Sequence, residues 1–160
     1  MPLIDLHARN PLEDGRQSAR ALRIRRGVQL LLSELGAAHL PELTLANGRR
    51  ADIIALLRDG SIWIVEIKSS IEDMRSDGKW PDYRDFCDRL FFATLDDVPG
   101  EIFPDDCGFI CADTHGAAML RDAPEHRLAA ARRKAVTQRI AQSAAQRLYA
   151  AELAGIDLPE

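Results

Sequence analysis

One stretch constrains this chain more than any other: residues 50–70, RADIIALLRDGSIWIVEIKSS, in which two apolar runs flank Asp59-Gly60. Runs of Ile, Leu and Val bounded by a turn signal predict two paired strands, Arg49 to Leu57 and Ser61 to Ser69. Apolar residues fall on both faces of the pair, Ile54 and Ile64 on one and Ile53 and Val65 on the other, so both faces must be covered. Three ionisable residues, Asp52, Glu66 and Lys68, interrupt this apolar pair, and charges in such a setting need a reason to be there. Glu66 and Lys68 are two apart on one strand and share a face. Whether Asp52 joins them depends on the turn. A two-residue turn sets Asp52 opposite Ile67, on the wrong face, whereas a three-residue loop, Arg58-Asp59-Gly60, sets it opposite Glu66. That loop needs a left-handed residue at its third position, where Gly60 stands, so the bulged hairpin is predicted.

The remaining elements are punctuated around this hairpin. Arg16 to Leu35 repeats Ala19, Leu22, Val28, Leu31, Leu32 and Leu35 at helical spacings before Gly36, which predicts a first helix. Glu42 to Ala46 predicts a strand closed by Asn47-Gly48. A short helix is expected around Pro81 to Asp88, and strands at Leu90 to Leu95 and Gly108 to Ala112, with Asp96 to Cys107 as a surface loop. Ala117 to Leu120 reads as an edge strand. From about Glu125 to Leu153 the chain is rich in Ala, Arg and Gln, and Val136, Ile140, Ala144 and Leu148 form an apolar stripe on one long amphipathic helix. No repeat or linker divides the chain, so residues 1–160 are expected to form a single domain, with a core over about 16–122 and the C-terminal helix at about 125–153. The element order predicts an α/β fold, a mixed β-sheet flanked by helices.

Composition narrows the setting. At 160 residues and 46% apolar, the chain can bury a core without staples, which argues against disorder and a disulfide scaffold. Three cysteines and an opening without signal-peptide pattern lead to the expectation of a reducing cytoplasm. No apolar window nears the roughly 18 residues of a membrane span, so no membrane partner is expected. Net charge is −4, which speaks against coating nucleic acid by bulk positive charge. The charge is uneven, however. Residues 16–33 carry five arginines and no acid, residues 121–149 seven bases against two acids, and residues 72–106 eleven acids against four bases. Basic first and last helices are thus able to present one positive face. Cys107, Cys111 and His115 make a poor zinc set, since no second thiol pair exists.

Two carboxylates a few ångströms apart repel unless a proton or cation lies between them, and a hard divalent ion, Mg²⁺ or Mn²⁺, is the usual partner. A lysine beside them suits stabilisation of developing charge or orientation of a water, and the three together read as a phosphodiester-hydrolysis site.

The pattern Ala51-Asp52, thirteen intervening residues, then Glu66-Ile67-Lys68 resembles the PD-(D/E)XK nuclease superfamily, with alanine where that name has proline. The resemblance implies a restriction-endonuclease-like αβββαβ core plus the long C-terminal helix. It also implies metal held by Asp52 and Glu66 with the Ile67 carbonyl, and catalysis by Asp52, Glu66 and Lys68. Lys79-x-x-x-Tyr83 resembles the Gln-x-x-x-Tyr of some members, with lysine replacing glutamine, and Glu34 is placed as the extra helix carboxylate that others carry. The segments RIRRGVQLLLSELG, LANGRRADIIAL and KWPDYRDFCDRLFFAT resemble the small bacterial DNA-repair proteins of the MmcB type. That likeness implies DNA as partner. Arg25, Arg26 and Arg50 are then candidates for phosphate contacts and Trp80 for stacking on an unpaired base. The competing expectation is a DNA-binding repair accessory that cleaves nothing and works with a repair-protein partner. The stripe of the last helix suits its own core or a homodimer.

Overall fold

The computed structural model describes residues 18–158. The lead-in and the first two residues of the predicted first helix, Arg16 and Gln17, lie outside the described residues. The elements run α1 (Ala19–Glu34), β1 (Ala38–Thr44), β2 (Arg50–Leu56), β3 (Ile62–Ile67), α2 (Ile71–Ser76), a 3-10 segment (Trp80–Phe86), β4 (Arg89–Thr94), a 3-10 turn (Gly100–Ile102), β5 (Gly108–Asp113), β6 (Gly116–Arg121) and α3 (Ala130–Leu153). All six strands form one mixed sheet in the order β1-β2-β3-β4-β5-β6. β1, β2 and β3 are antiparallel neighbours, β4 runs parallel to both β3 and β5, and β6 returns antiparallel at the far edge.

Alternation along the strands sends side chains to two separate cores. On one face Ile53, Val65, Phe91, Ala93, Ile110 and Ala112 pack against Ile24, Val28 and Leu32 of α1. On the other, Ile54, Ile62, Ile64, Leu90 and Phe92 meet Tyr83 and Phe86 of the 3-10 segment and Val136 and Ile140 of α3. Helix α1 lies unusually close to the sheet at Gly27, where a Cβ would come within 2.2 Å of the Asp113 carbonyl oxygen and 2.4 Å of that of Gly116. Ser18 caps α1, its hydroxyl accepting from the Ala21 N–H, and Gly36 ends it at φ +70.

The hairpin takes the three-residue loop. Ile53 pairs with Val65 and Leu56 with Ile62, and Gly60 occupies the left-handed region at φ +86.

Several boundaries differ from the sequence expectation. β1 spans Ala38–Thr44 rather than Glu42 to Ala46, because its place at the sheet edge tolerates Pro41 and a kink at Glu42, φ 54. β3 stops at Ile67, and Ser70 then caps α2, a helix that the polar stretch concealed. The helix expected at Pro81 to Asp88 is the 3-10 segment. α3 begins at Ala130 rather than near Glu125, since the preceding residues are drawn out extended: the His126 N–H donates to the Asp88 carbonyl and the Leu128 N–H to its carboxylate. The predicted stripe of α3 is buried only at Val136 and Ile140, and Leu148 is 54% exposed.

Candidate active site

The three ionisable residues of the hairpin come together at the end of the strand pair away from its turn. In the register of the bulged loop Asp52 stands opposite Glu66, one step beyond the last backbone pair, Ile53 with Val65. There the two strands exchange side chains for ladder bonds. The Asp52 N–H donates to Glu66 Oε1 at 3.1 Å, and the Ile67 N–H donates to Asp52 Oδ2 at 2.7 Å. Each carboxylate thus uses one oxygen to satisfy the neighbouring strand, which holds both at fixed positions.

They line a cleft of about 650 Å³ with Ile67, Lys68, Ser69, Asp73, Asp77, Lys79, Tyr83, Arg49, Arg50 and the start of α1 at Ser18 and Ala21. Burial pushes the Asp52 carboxyl above its ordinary range, against the pull of the Ile67 N–H and the Lys68 charge. Glu66, 4% exposed, is pushed well above it, by burial first and then by the negative charge of Asp52. The pair therefore favours a shared proton or a cation between its members.

Lys68 is 6% exposed. Its ammonium is turned to a third carboxylate: Nζ donates to Asp77 Oδ2 at 2.5 Å. Burial opposes its charge, but the Asp77 hydrogen bond and charge, helped by Asp73 and Glu66, hold its pKa above the ordinary lysine value. The other oxygen of Asp77 accepts from the Lys79 and Trp80 N–H groups at 2.8 and 3.1 Å. Asp77 thereby joins the lysine just beyond β3 to the start of the 3-10 segment that carries Lys79 and Tyr83. Burial raises the Asp77 carboxyl, but Lys68 and these N–H donors outweigh it and hold it below the usual range. Asp73, at the start of α2, accepts from the Ser69 N–H at 3.1 Å. Arg20 reaches from α1 to the Ser69 carbonyl at 3.0 Å, tying the helix to the end of β3.

The Tyr83 hydroxyl donates to the Arg50 carbonyl at 2.9 Å. Burial and then the neighbouring carboxylates Glu66 and Asp52 raise its pKa, so it remains protonated. Lys79 is exposed beside it on the same cleft, and Arg49 at the rim pairs with Asp82 at 3.0 Å.

Asp52, Glu66, Ile67, Lys68, Lys79, Tyr83 and Arg50 thus meet in one cleft. The other candidates do not. Glu34 is exposed at the C-terminal end of α1, whereas it is the N-terminal end that reaches the cleft. Arg25 is only 6% exposed, packed where a phosphate has little access, and Arg26 lines a separate depression with Gln29, Leu30, Ser33 and Thr114. Trp80 sets its ring edge against Phe92 at 5.6 Å with the Arg84 guanidinium over it at 5.4 Å, so its surface is used in packing. Cys107 is buried while Cys111 and His115 line a different depression. Among the described residues no group of three or more His, Cys, Asp or Glu is arranged to hold a metal ion.

The sequence reading missed Asp73, Asp77 and Arg20. Ser70-x-x-Asp73 is a helix-start pattern that was available to be read. Nothing in the spacing of Asp77 from Lys68 marks it, because the short helix α2 between them sets their meeting.

The profile of the MmcB-like DNA repair proteins matches residues 8–155. The chain belongs to the MmcB-like family. Family membership places it among DNA-repair proteins. A protein of unknown function from Silicibacter pomeroyi is similar in structure, with a TM-score of 0.81 and 39% identity over 85% of this chain and 93% of that one. No curated protein matches the chain. Among the described residues no helix of this MmcB-like protein is long and apolar enough to cross a membrane.

Proposed function

We propose that this MmcB-like protein is a Mg²⁺- or Mn²⁺-dependent deoxyribonuclease of PD-(D/E)XK type acting in DNA repair. The observation that carries the reading is the reciprocal placement of Asp52 and Glu66, a half-buried and a buried carboxyl side by side at the mouth of a splayed strand pair. The donor set of two carboxylates and the Ile67 carbonyl suits a hard divalent cation that keeps several waters, which is the habit of Mg²⁺. Such an ion, when bound, polarises a phosphoryl oxygen and acidifies a water.

The chain's own groups divide the remaining tasks. Asp52 and Glu66 hold their carboxylates at positions set by backbone N–H groups, so little reorganisation is needed on binding. Lys68 holds a positive charge on the same strand face, where it stabilises negative charge developing on phosphate, and Asp77 keeps it there. Tyr83, protonated and fixed to the Arg50 carbonyl, closes the floor of the cleft. Lys79, Arg49 and Arg50 supply the positive rim that draws a phosphate backbone to otherwise repulsive carboxylates.

The test is cleavage of labelled duplex, single-stranded, gapped and branched DNA by wild type, Asp52→Ala and Lys68→Ala, each with Mg²⁺, Mn²⁺ or EDTA. Metal-dependent cutting that both variants lose is the expected result. Unchanged cutting by both variants refutes the assignment of these residues.

One observation favours a second reading. Lys68 is already engaged by Asp77 at 2.5 Å, and an ammonium so occupied suits a binding module that hydrolyses nothing and works with a repair-protein partner. Equal DNA binding in Mg²⁺ and in EDTA, without cleavage of any substrate, would select that reading.

A further inference from the structure

A second depression of about 410 Å³ lies outside the cleft, between the edge strand β1 and α3. Its strand wall is formed by Glu42 and Thr44. Its helix wall consists of two adjacent rows at four-residue spacing, Gln138, Gln142 and Gln146 beside Arg139, Ser143 and Arg147, which fall on one face of α3. All six are hydrogen-bond donors. Each row spans eight rises of the helix, about 12 Å, which matches three to four base steps along the axis of a B-form duplex at about 3.4 Å each.

Two further features bear on what this wall meets. The guanidinium groups are held at the groove: Arg139 donates to the Thr44 carbonyl at 3.3 Å, and Arg147 donates to the carbonyls of Pro41 and Glu42, the latter at 2.9 Å. These bonds occupy carbonyls of the β1 edge, which works against strand addition there, and leave further guanidinium N–H donors for a ligand. Glu42, the acid of this groove, lies 3.9 Å from Arg50, and Arg50 also lines the cleft. Groove and cleft therefore adjoin at that ion pair. The helix as a whole, residues 130–153, carries five bases against one acid in a chain of net charge −4.

We infer that this groove is a track for a nucleic-acid backbone, contacting its phosphates through α3 without reading the bases. The inference rests on the DNA reading of the cleft and extends it by assigning the path of the strand beyond Arg50. Amide and guanidinium donors at helical spacing recognise phosphate oxygens and give position rather than sequence.

The experiment is fluorescence anisotropy of a labelled single strand and its duplex with the full chain in EDTA, across a salt series. Wild type is compared with Gln138→Glu/Gln142→Glu/Gln146→Glu, whose three positions are exposed, and with Ala118→Glu/Leu120→Glu, exposed on β6 at the opposite edge of the sheet, as a charge control. Thermal melts check that each variant folds. The expected result is binding weakened about tenfold or more in the triple variant, whose added carboxylates repel phosphate beside Arg139 and Arg147, with the loss largest at low salt and shrinking as salt screens the repulsion, and little change in the control. Equal binding by wild type and the triple variant overturns the groove while leaving the cleft reading intact. Equal weakening by Ala118→Glu/Leu120→Glu overturns it as a mere effect of net charge. A triple variant that keeps DNA binding but loses binding to polyglutamate assigns the surface to an acidic protein segment instead. Failure of wild type to bind any DNA defeats both this inference and the reading beneath it.

Discussion

The contact between Lys68 and Asp77 lends itself to a quantitative test, because both side chains are nearly enclosed, 8% and 14% exposed, and meet at 2.5 Å. Asp77→Asn keeps the shape and lets the amide oxygen go on accepting from Lys79 and Trp80, but turns its NH2 group, a donor, toward the ammonium. A buried charge deprived of its partner costs about 3–5 kcal/mol, and the open cleft puts this site near the lower end, about 3 kcal/mol. Lys68→Met keeps the apolar stem and leaves Asp77 with two N–H donors, so its cost is about 1–2 kcal/mol. The double variant has no charge to strand, and its loss should fall short of the sum of the singles by about 2 kcal/mol. Urea unfolding of the four proteins measures this. Melting temperature follows at about 2–4 °C per kcal/mol for a chain of this size, so Asp77→Asn should melt about 6–12 °C below wild type. Losses additive to within about 0.5 kcal/mol would show that the pair is not coupled and that Asp77 does not position Lys68. The pH dependence is determined too. Asp77 titrates below its unfolded value, so its share of stability is present above about pH 4 and lost as pH falls further. Lys68 titrates above its unfolded value, so its share is present below about pH 10 and lost as pH rises through the folded value. Between these limits the pair's contribution should be flat.

Other perturbations test other parts of the site and its support. Asp52 and Glu66 titrate above their unfolded values, so in EDTA they hold their proton longer in the folded state, and stability should fall as pH rises from about 4 through their folded range. Glu66→Gln should flatten that slope in melts taken from pH 5 to 8, and an unchanged slope would refute the burial argument. Asp88, 1% exposed, accepts from the Ile62 and Leu128 N–H groups and from both amino groups of Arg133. Asp88→Ala strands all of these donors and should cost about 3–5 kcal/mol by denaturant unfolding, whereas a loss under about 1 kcal/mol would show that water replaces the carboxylate. Gly27→Ala gains up to about 1 kcal/mol of helix propensity, yet its Cβ overlaps two backbone oxygens that cannot rotate away. Net destabilisation of about 1–2 kcal/mol is expected, and a stabilised variant would mean that α1 does not sit this close to the sheet.

The hairpin was legible because its information is local. The alternation of Ile, Leu and Val, the turn glycine at position 60 and the period-2 spacing of Glu66 and Lys68 together determine which residues share a face, and Gly60 in the left-handed region selects the register that brings Asp52 opposite Glu66. The element order and the two-sided burial of the sheet follow from the same periodicities. What the sequence by itself could not determine is how distant segments meet. Asp77 finds Lys68 through the turn of α2, Arg20 finds Ser69 across the helix packing, and α3 starts late because Asp88, forty residues before Leu128, holds the approach extended. Arg25 shows the converse: its spacing on α1 is that of a surface arginine, yet packing buries it, while Gln138, Gln142 and Gln146 acquire a role only from the strand edge beside them. Local patterns bias each segment's backbone, but solvent access and charge partners depend on the packed whole, and they decide what an ionisable group can do.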